Sequence, residues 1–182
     1  YKGDEIPKIL KKYPSVKIDA FECSPRYSLI LKKRLRQNKR VKIIDKAVSN
    51  FRGEKTFYET NLNGNGSLLP LNKISMRDYG SFNNEEYKVD STTLDLFYKN
   101  KIVDILWLDV QGAEKMVLEG SKQTLKKLKA IFIEVSIDFD VDGIATLNWT
   151  GFAKEVLDIS GKIKVNSTRP TVGNTTNDGS TL

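Results

Sequence analysis

The chain has 182 residues, 39% of them hydrophobic and 29% charged, which fits one globular domain able to bury a sizeable core. Cys23 is the only cysteine and there is no histidine, which excludes an internal disulfide, Ser-His-Asp and Cys-His catalysis and any His-ligated metal, so none is expected. The net charge of +7 lies within residues 1–165 and is densest at Lys32, Lys33, Arg34, Arg36, Lys39 and Arg40.

In chain order, residues 5–13 read as the end of a helix closed by Pro14, and 16–21 as a short apolar strand ending at Glu22. Residues 25–38 read as a helix with Pro25 in its first turn and Leu29, Ile30, Leu31 and Leu35 on its apolar face. Residues 41–44 form the next strand, ending at Asp45. The stretch 55–60 alternates like a strand, 61–67 is a turn-rich loop with Gly64 and Gly66, and 72–86 is polar and irregular. Residues 87–89 are expected to pair with 55–60, and Thr93 to cap a short helix carrying Leu94, Leu96 and Phe97.

Residues 103–108 are nearly all apolar and end at Asp109, the pattern of a strand covered on both faces. A helical stretch over 112–128 is broken near Gly120 and Ser121, and 130–135 is a further buried-type strand carrying Glu134. A helix over 150–159 and a strand over 162–165 complete a domain spanning 1–165. Residues 166–182 are low-complexity Ser, Thr, Asn and Gly, expected as a disordered or truncated tail. No apolar run approaches the roughly 20 residues that span a bilayer, and the lone cysteine favours a reducing compartment, so the expected location is the cytoplasm.

Strands and helices in this alternation predict a mainly parallel, doubly wound α/β sheet. Ligands bind such sheets beyond the carboxyl ends of the strands, and carboxylates stand there: Glu22, Asp45, Asp109 and, near its strand end, Glu134. An acid at Glu22 suits the two hydroxyls of a ribose, the plainer alternative being a surface pair with a lysine. The fold context favours the ribose. The run from Leu108 to Glu114, LDVQGAE, takes a buried strand into a carboxylate, a glycine turn and a helix. There Asp109 either caps the helix or faces the crevice, and the crevice is the favoured reading.

The runs AFECSP at 20–25, DKAVS at 45–49, Ser67-Leu68, Thr93-Leu94-Asp95, DVQGAE at 109–114 with VLEG at 117–120, and Glu134-Val135-Ser136 resemble, in order and spacing, the FkbM family of methyltransferases. The resemblance covers roughly residues 1–136. It implies a Rossmann-like class I methyltransferase fold, truncated at the N-terminus so that the first strand and most of the glycine motif are missing, with S-adenosylmethionine as donor. It also implies a hydroxyl acceptor on a sugar, glycan or natural product. By that resemblance Gly3 and Asp4 match the end of the cofactor glycine motif, Glu22 the ribose-binding acid, and Ala47 the passage beside adenine. Asp109 falls near the methyl group and acceptor. Cys23 stands where the family often has proline.

An alcohol acceptor must also lose its proton. Without histidine, Asp109 is the first candidate base, followed by Glu114 and Glu134, while Ser67 and Gln111 are candidate substrate contacts. Two other classes compete. A basic nucleic-acid-binding module would use the 32–40 cluster, but no aromatic residues interleave with its charges, and cations at a helix end read more simply as a solvated face. A dehydrogenase would also use Glu22 but needs a G-x-G-x-x-G loop upstream.

Overall fold

The computed structural model describes residues 3–61, 64–70 and 83–133. Helix α1 (Glu5–Lys12) buries Leu10. Its last carbonyls would otherwise lack partners, and the Arg40 guanidinium reaches back to supply them. It donates to the Leu10 carbonyl at 3.3 Å, to that of Tyr13 at 3.2 Å and to that of Pro14 at 2.8 Å. Strand β1 (Ile18–Phe21), helix α2 (Pro25–Leu35) and strand β2 (Val41–Ile44) form a β-α-β unit. Its two strands are parallel, in register from Ile18 opposite Val41 to Phe21 opposite Ile44. Pro25 opens α2, where its fixed φ suits a helix and its missing N–H leaves one donor fewer to satisfy.

A hairpin follows. Strand β3 (Ala47–Val48) runs parallel to β5 (Asn83–Thr92), and β4 (Gly53–Thr60) lies antiparallel on the other side of β5, giving the order β3-β5-β4. The expected pairing of 87–89 with 55–60 is present, with Phe57 opposite Tyr87, and extends well beyond those residues. Strand β3 is too short to carry a period and was not expected. Thr93 caps helix α3 (Leu94–Phe97), its hydroxyl accepting from the Leu96 amide at 3.0 Å. Strand β6 (Ile105–Leu108), helices α4 (Glu114–Glu119) and α5 (Lys122–Leu125), and strand β7 (Ala130–Ile133) form a second β-α-β unit, again with parallel strands.

The break between α4 and α5 falls at Gly120 because the backbone there touches another strand's exit. A Cβ on Gly120 would lie 2.1 Å from the Ser49 carbonyl oxygen. Leu94, Leu108, Val117, Leu118 and Leu125 form the main core, joined by Phe21, Val48, Leu106 and Ile131. That core ties the two β-α-β units to β3 and α3. Ala47, Phe57 and Val89 make a smaller core with Cys23, Leu68 and Tyr87.

Two expectations need correction. Among the described residues the four parallel strands hydrogen-bond as two separate pairs, β1-β2 and β6-β7, and not as one continuous sheet. Residues 103–108 and 130–133 read as covered on both faces, yet they alternate. Leu106 and Leu108 turn toward the core, while Ile105, Trp107 (52% exposed) and Phe132 face outward. Trp107 and Phe132 stand opposite one another and shield each other in part, with ring centroids 4.6 Å apart. Residues 134–135, the expected elements at 150–159 and 162–165, and the tail lie outside the described residues. No described helix is long and apolar enough to cross a membrane.

Candidate functional site

Glu22 follows β1 directly and is half-buried. One carboxylate oxygen accepts from the Ser24 amide at 2.9 Å. Burial pushes the Glu22 carboxyl up, the Ser24 amide opposes that shift, and the negative charge of Glu59 adds to it. The next residue, Cys23, packs on the Ala47–Phe57–Val89 core, and burial beside Glu22 pushes its thiol up to about 12. Ala47 is buried at the start of β3 in the same apolar cluster. A strand-end carboxylate followed by a residue packed on an apolar cluster is an arrangement that suits a nucleoside, with hydroxyls for the acid and a flat base for the apolar surface.

Sequence reasoning missed the rest of this group. Ser24, almost wholly buried, donates its hydroxyl to Glu59 Oε2 at 3.1 Å, and Tyr87 donates to the same oxygen at 2.6 Å. Burial and the Glu59 carboxylate raise the Tyr87 hydroxyl above its usual range. The available signal was period two in β4: Phe57 and Glu59 are two apart and therefore share a face, here the buried one.

The second group follows β6. Asp109 is exposed, and one of its oxygens accepts from the Gln111 side-chain amide at 2.7 Å. It caps no helix, because α4 begins at Glu114. Gln111 has φ of 52° and Gly112 φ of 95°, so the turn holds a non-glycine residue in the left-handed region. Glu114 stabilises that turn from beneath: it is buried, and Oε1 accepts from the Gly112 amide at 3.1 Å and the Val110 amide at 3.3 Å. Ser67 reaches the same place. It pairs with Tyr58 of β4 through two backbone bonds, and its hydroxyl approaches the Val110 carbonyl at 3.5 Å. Its neighbour Leu68 packs on the Ala47 core. The loop around Ser67 thus touches both groups.

The remaining candidates lie elsewhere. Gly3 has φ of 64°, and a Cβ there would lie 2.8 Å from Leu31 Cδ2 of α2. Asp4 forms a 2.6 Å ion pair with Arg34 on the same helix. Asp45 is bound by Lys32 and the Ser28 hydroxyl, whose hydrogen bonds hold its carboxyl below the usual range. Glu134 lies outside the described residues.

Comparison with known proteins places the arrangement. The chain is 28% identical over 145 residues to the 2-O-methyltransferase NoeI of Sinorhizobium fredii, a match covering 74% of this chain and 59% of that protein. It therefore spans under two thirds of that relative's length. The crystal structure of methyltransferase FkbM from Methylobacillus flagellatus KT matches with a TM-score of 0.57 at 11% identity, over 88% of this chain and 35% of the other. The fold is thus the α/β fold of that methyltransferase, with parallel strand pairs. A family model, the methyltransferase FkbM domain, matches residues 5–158, and the chain belongs to that family.

Proposed function

We propose that this domain transfers a methyl group from S-adenosylmethionine to a hydroxyl of a sugar, glycan or natural product. The observation that carries the reading is Glu22, a half-buried strand-end carboxylate whose neighbour Cys23 packs on the cluster of buried Ala47, with exposed Asp109 at the end of a strand in the second parallel pair. The family, and the similarity to the 2-O-methyltransferase NoeI, support methyl transfer to oxygen. The donor supplies an electrophilic methyl on a sulfonium sulfur, and the protein's main task is to position the two reactants.

Glu22 would hold the ribose hydroxyls, and the apolar surface around Ala47 would receive the base. Gly3 and Asp4, matched to the end of the glycine motif, belong to the donor side. Asp109 would take the proton of the acceptor hydroxyl as its oxygen bonds the methyl carbon, the methyl–sulfur bond breaking to leave a neutral thioether. Gln111 holds the Asp109 carboxylate, Ser67 lines the acceptor side, and Glu114 keeps the turn in shape through two backbone amides. Glu134 remains a candidate for a second acid near the acceptor. The expected setting is cytoplasmic, with a small-molecule or glycan acceptor.

The test is methyl incorporation, followed by mass spectrometry, across a panel of glycans and hydroxylated metabolites with the full-length protein. Asp109→Asn should lower turnover about 10²–10⁴-fold with donor affinity nearly intact. Absence of S-adenosylmethionine binding by calorimetry would overturn the enzyme reading. Asp109→Asn turnover within a few-fold of wild type would remove Asp109 as the base.

A further inference from the structure

We propose that Glu59 is a positioning residue for Glu22, acting through Ser24, and that the β4–β5 hairpin delivers it to the donor site. The proposal rests on the reading of Glu22 as the ribose-binding acid. Its starting point is an N-cap serine that does not cap. Ser24 precedes α2, where a serine hydroxyl ordinarily accepts from an amide of the first turn. Here the side chain makes no such bond and is turned instead to Glu59, 35 residues further along the chain.

Ser24 therefore serves two carboxylates. Its amide donates to Glu22 Oε1 at 2.9 Å and its hydroxyl to Glu59 Oε2 at 3.1 Å, and the residue is only 1% exposed. Glu59 is itself 9% exposed, and a buried carboxylate persists only where donors meet it. Tyr87, from β5, supplies the second donor, at 2.6 Å to the same oxygen. Among the described residues, Ser24, the Cys23 thiol and the Tyr87 hydroxyl stand near Glu22 and Glu59.

The two acids repel one another, as the upward push of Glu59 on the Glu22 carboxyl shows. A glutamine at position 59 would tie Ser24 to Tyr87 without that repulsion. The carboxylate accepts from both hydroxyls at once through a charged oxygen, giving shorter and stronger bonds than an amide carbonyl. The Ser24 turn is thereby held where its amide orients Glu22. Without Glu59, the Ser24 hydroxyl is free to rotate back to the α2 cap, and Glu22 loses a fixed partner.

The test is a double-mutant cycle in the full-length protein, read as S-adenosylmethionine affinity by calorimetry, with thermal melts as a folding control. Glu59→Ala should weaken binding about tenfold in the native background and less than about twofold in the Glu22→Ala background. If Glu59→Ala fails to fold, Ser24→Ala cuts the same link with a smaller change and should give the same pattern. Glu59→Gln should recover part of the loss. Equal losses in both backgrounds, or no loss in the first, would overturn the positioning role alone. Unchanged affinity in Glu22→Ala would overturn the ribose reading, and the proposal with it.

Discussion

At the scale of single residues, Glu22 is a carboxyl placed where burial disfavours its charge. Glu22 has its carboxyl raised, first by burial, so the folded state prefers it protonated. A raised folded-state value means a stability contribution present below the unfolded value and lost as pH rises through the folded one. An acid at position 22 therefore costs stability above the carboxylate range, relative to a neutral side chain of the same shape. Glu22→Gln should raise the melting temperature of ligand-free protein at pH 7, with a gain that shrinks as pH falls through the carboxylate range, while weakening donor binding. A lower melting temperature at pH 7 would show that Glu22 contributes to stability instead. The adjacent Cys23 gives an independent probe of the same burial. Its thiol, pushed from 9.0 to about 12, carries about 10³-fold less thiolate at pH 8. Iodoacetamide should label Cys23 only after unfolding, and labelling of the folded protein at the rate of a free thiol would contradict the burial.

At the scale of elements, the runs that carry the family resemblance divide into packing and site. In VLEG, Val117 and Leu118 fill the core, Glu119 accepts from the Asn50 side chain at 2.9 Å, and Gly120 lies against the Ser49 carbonyl. In Thr93-Leu94-Asp95, the Asp95 carboxylate accepts from the Gln123 and Thr124 amides and so caps α5. Gly120 has φ of −84°, so alanine there meets no backbone penalty, only the overlap with Ser49. Gly120→Ala should cost about 1–3 kcal/mol, read as a lower urea midpoint with unchanged slope. A midpoint within error of the native one would mean that β3 shifts freely.

The parallel strands β1, β2, β6 and β7 were legible because apolar runs ending in carboxylates are local signals. Strand β3 and the length of β5 were not, because each rests on pairing with distant residues: Ala47 opposite Ser91 and Val48 opposite Thr92, and β4 from Gly53 opposite Ser91 to Thr60 opposite Asn83. Glu22 and Asp109 were legible from their places at strand ends. Glu59 was hidden because its partners, Ser24 and Tyr87, lie 35 and 28 residues away in sequence. The turn supported by Glu114 was visible as a motif, yet its geometry assigns Glu114 to two backbone amides, which composition cannot reveal.

At the scale of the whole molecule, the charge of +7 is the one bulk property that points away from a small-molecule enzyme. The structure accounts for much of the basic cluster internally. Lys32 is paired with Asp45, Arg34 with Asp4, and Arg40 is spent on the carbonyls that end α1. Among the described residues, no such role is seen for Lys33, Arg36 and Lys39, the exposed cations of that cluster. Three cations released onto phosphates would give a salt slope of about −0.9 per contact, or about −2.7 in all. A labelled oligonucleotide in fluorescence anisotropy should therefore bind no more tightly than the non-specific range of about 10⁻⁴–10⁻⁶ M at 150 mM salt. At lower salt the log–log slope should stay near −3 if this cluster alone meets phosphate, since further contacts from it would require breaking the ion pairs to Asp45 and Asp4. Lys33→Gln with Lys39→Gln should flatten the slope by about two phosphate contacts and leave S-adenosylmethionine binding unchanged. Saturable binding near 10⁻⁸ M at 150 mM salt, with a slope steeper than about −6, would show a dedicated polyanion surface and turn the choice of acceptor toward nucleic acid.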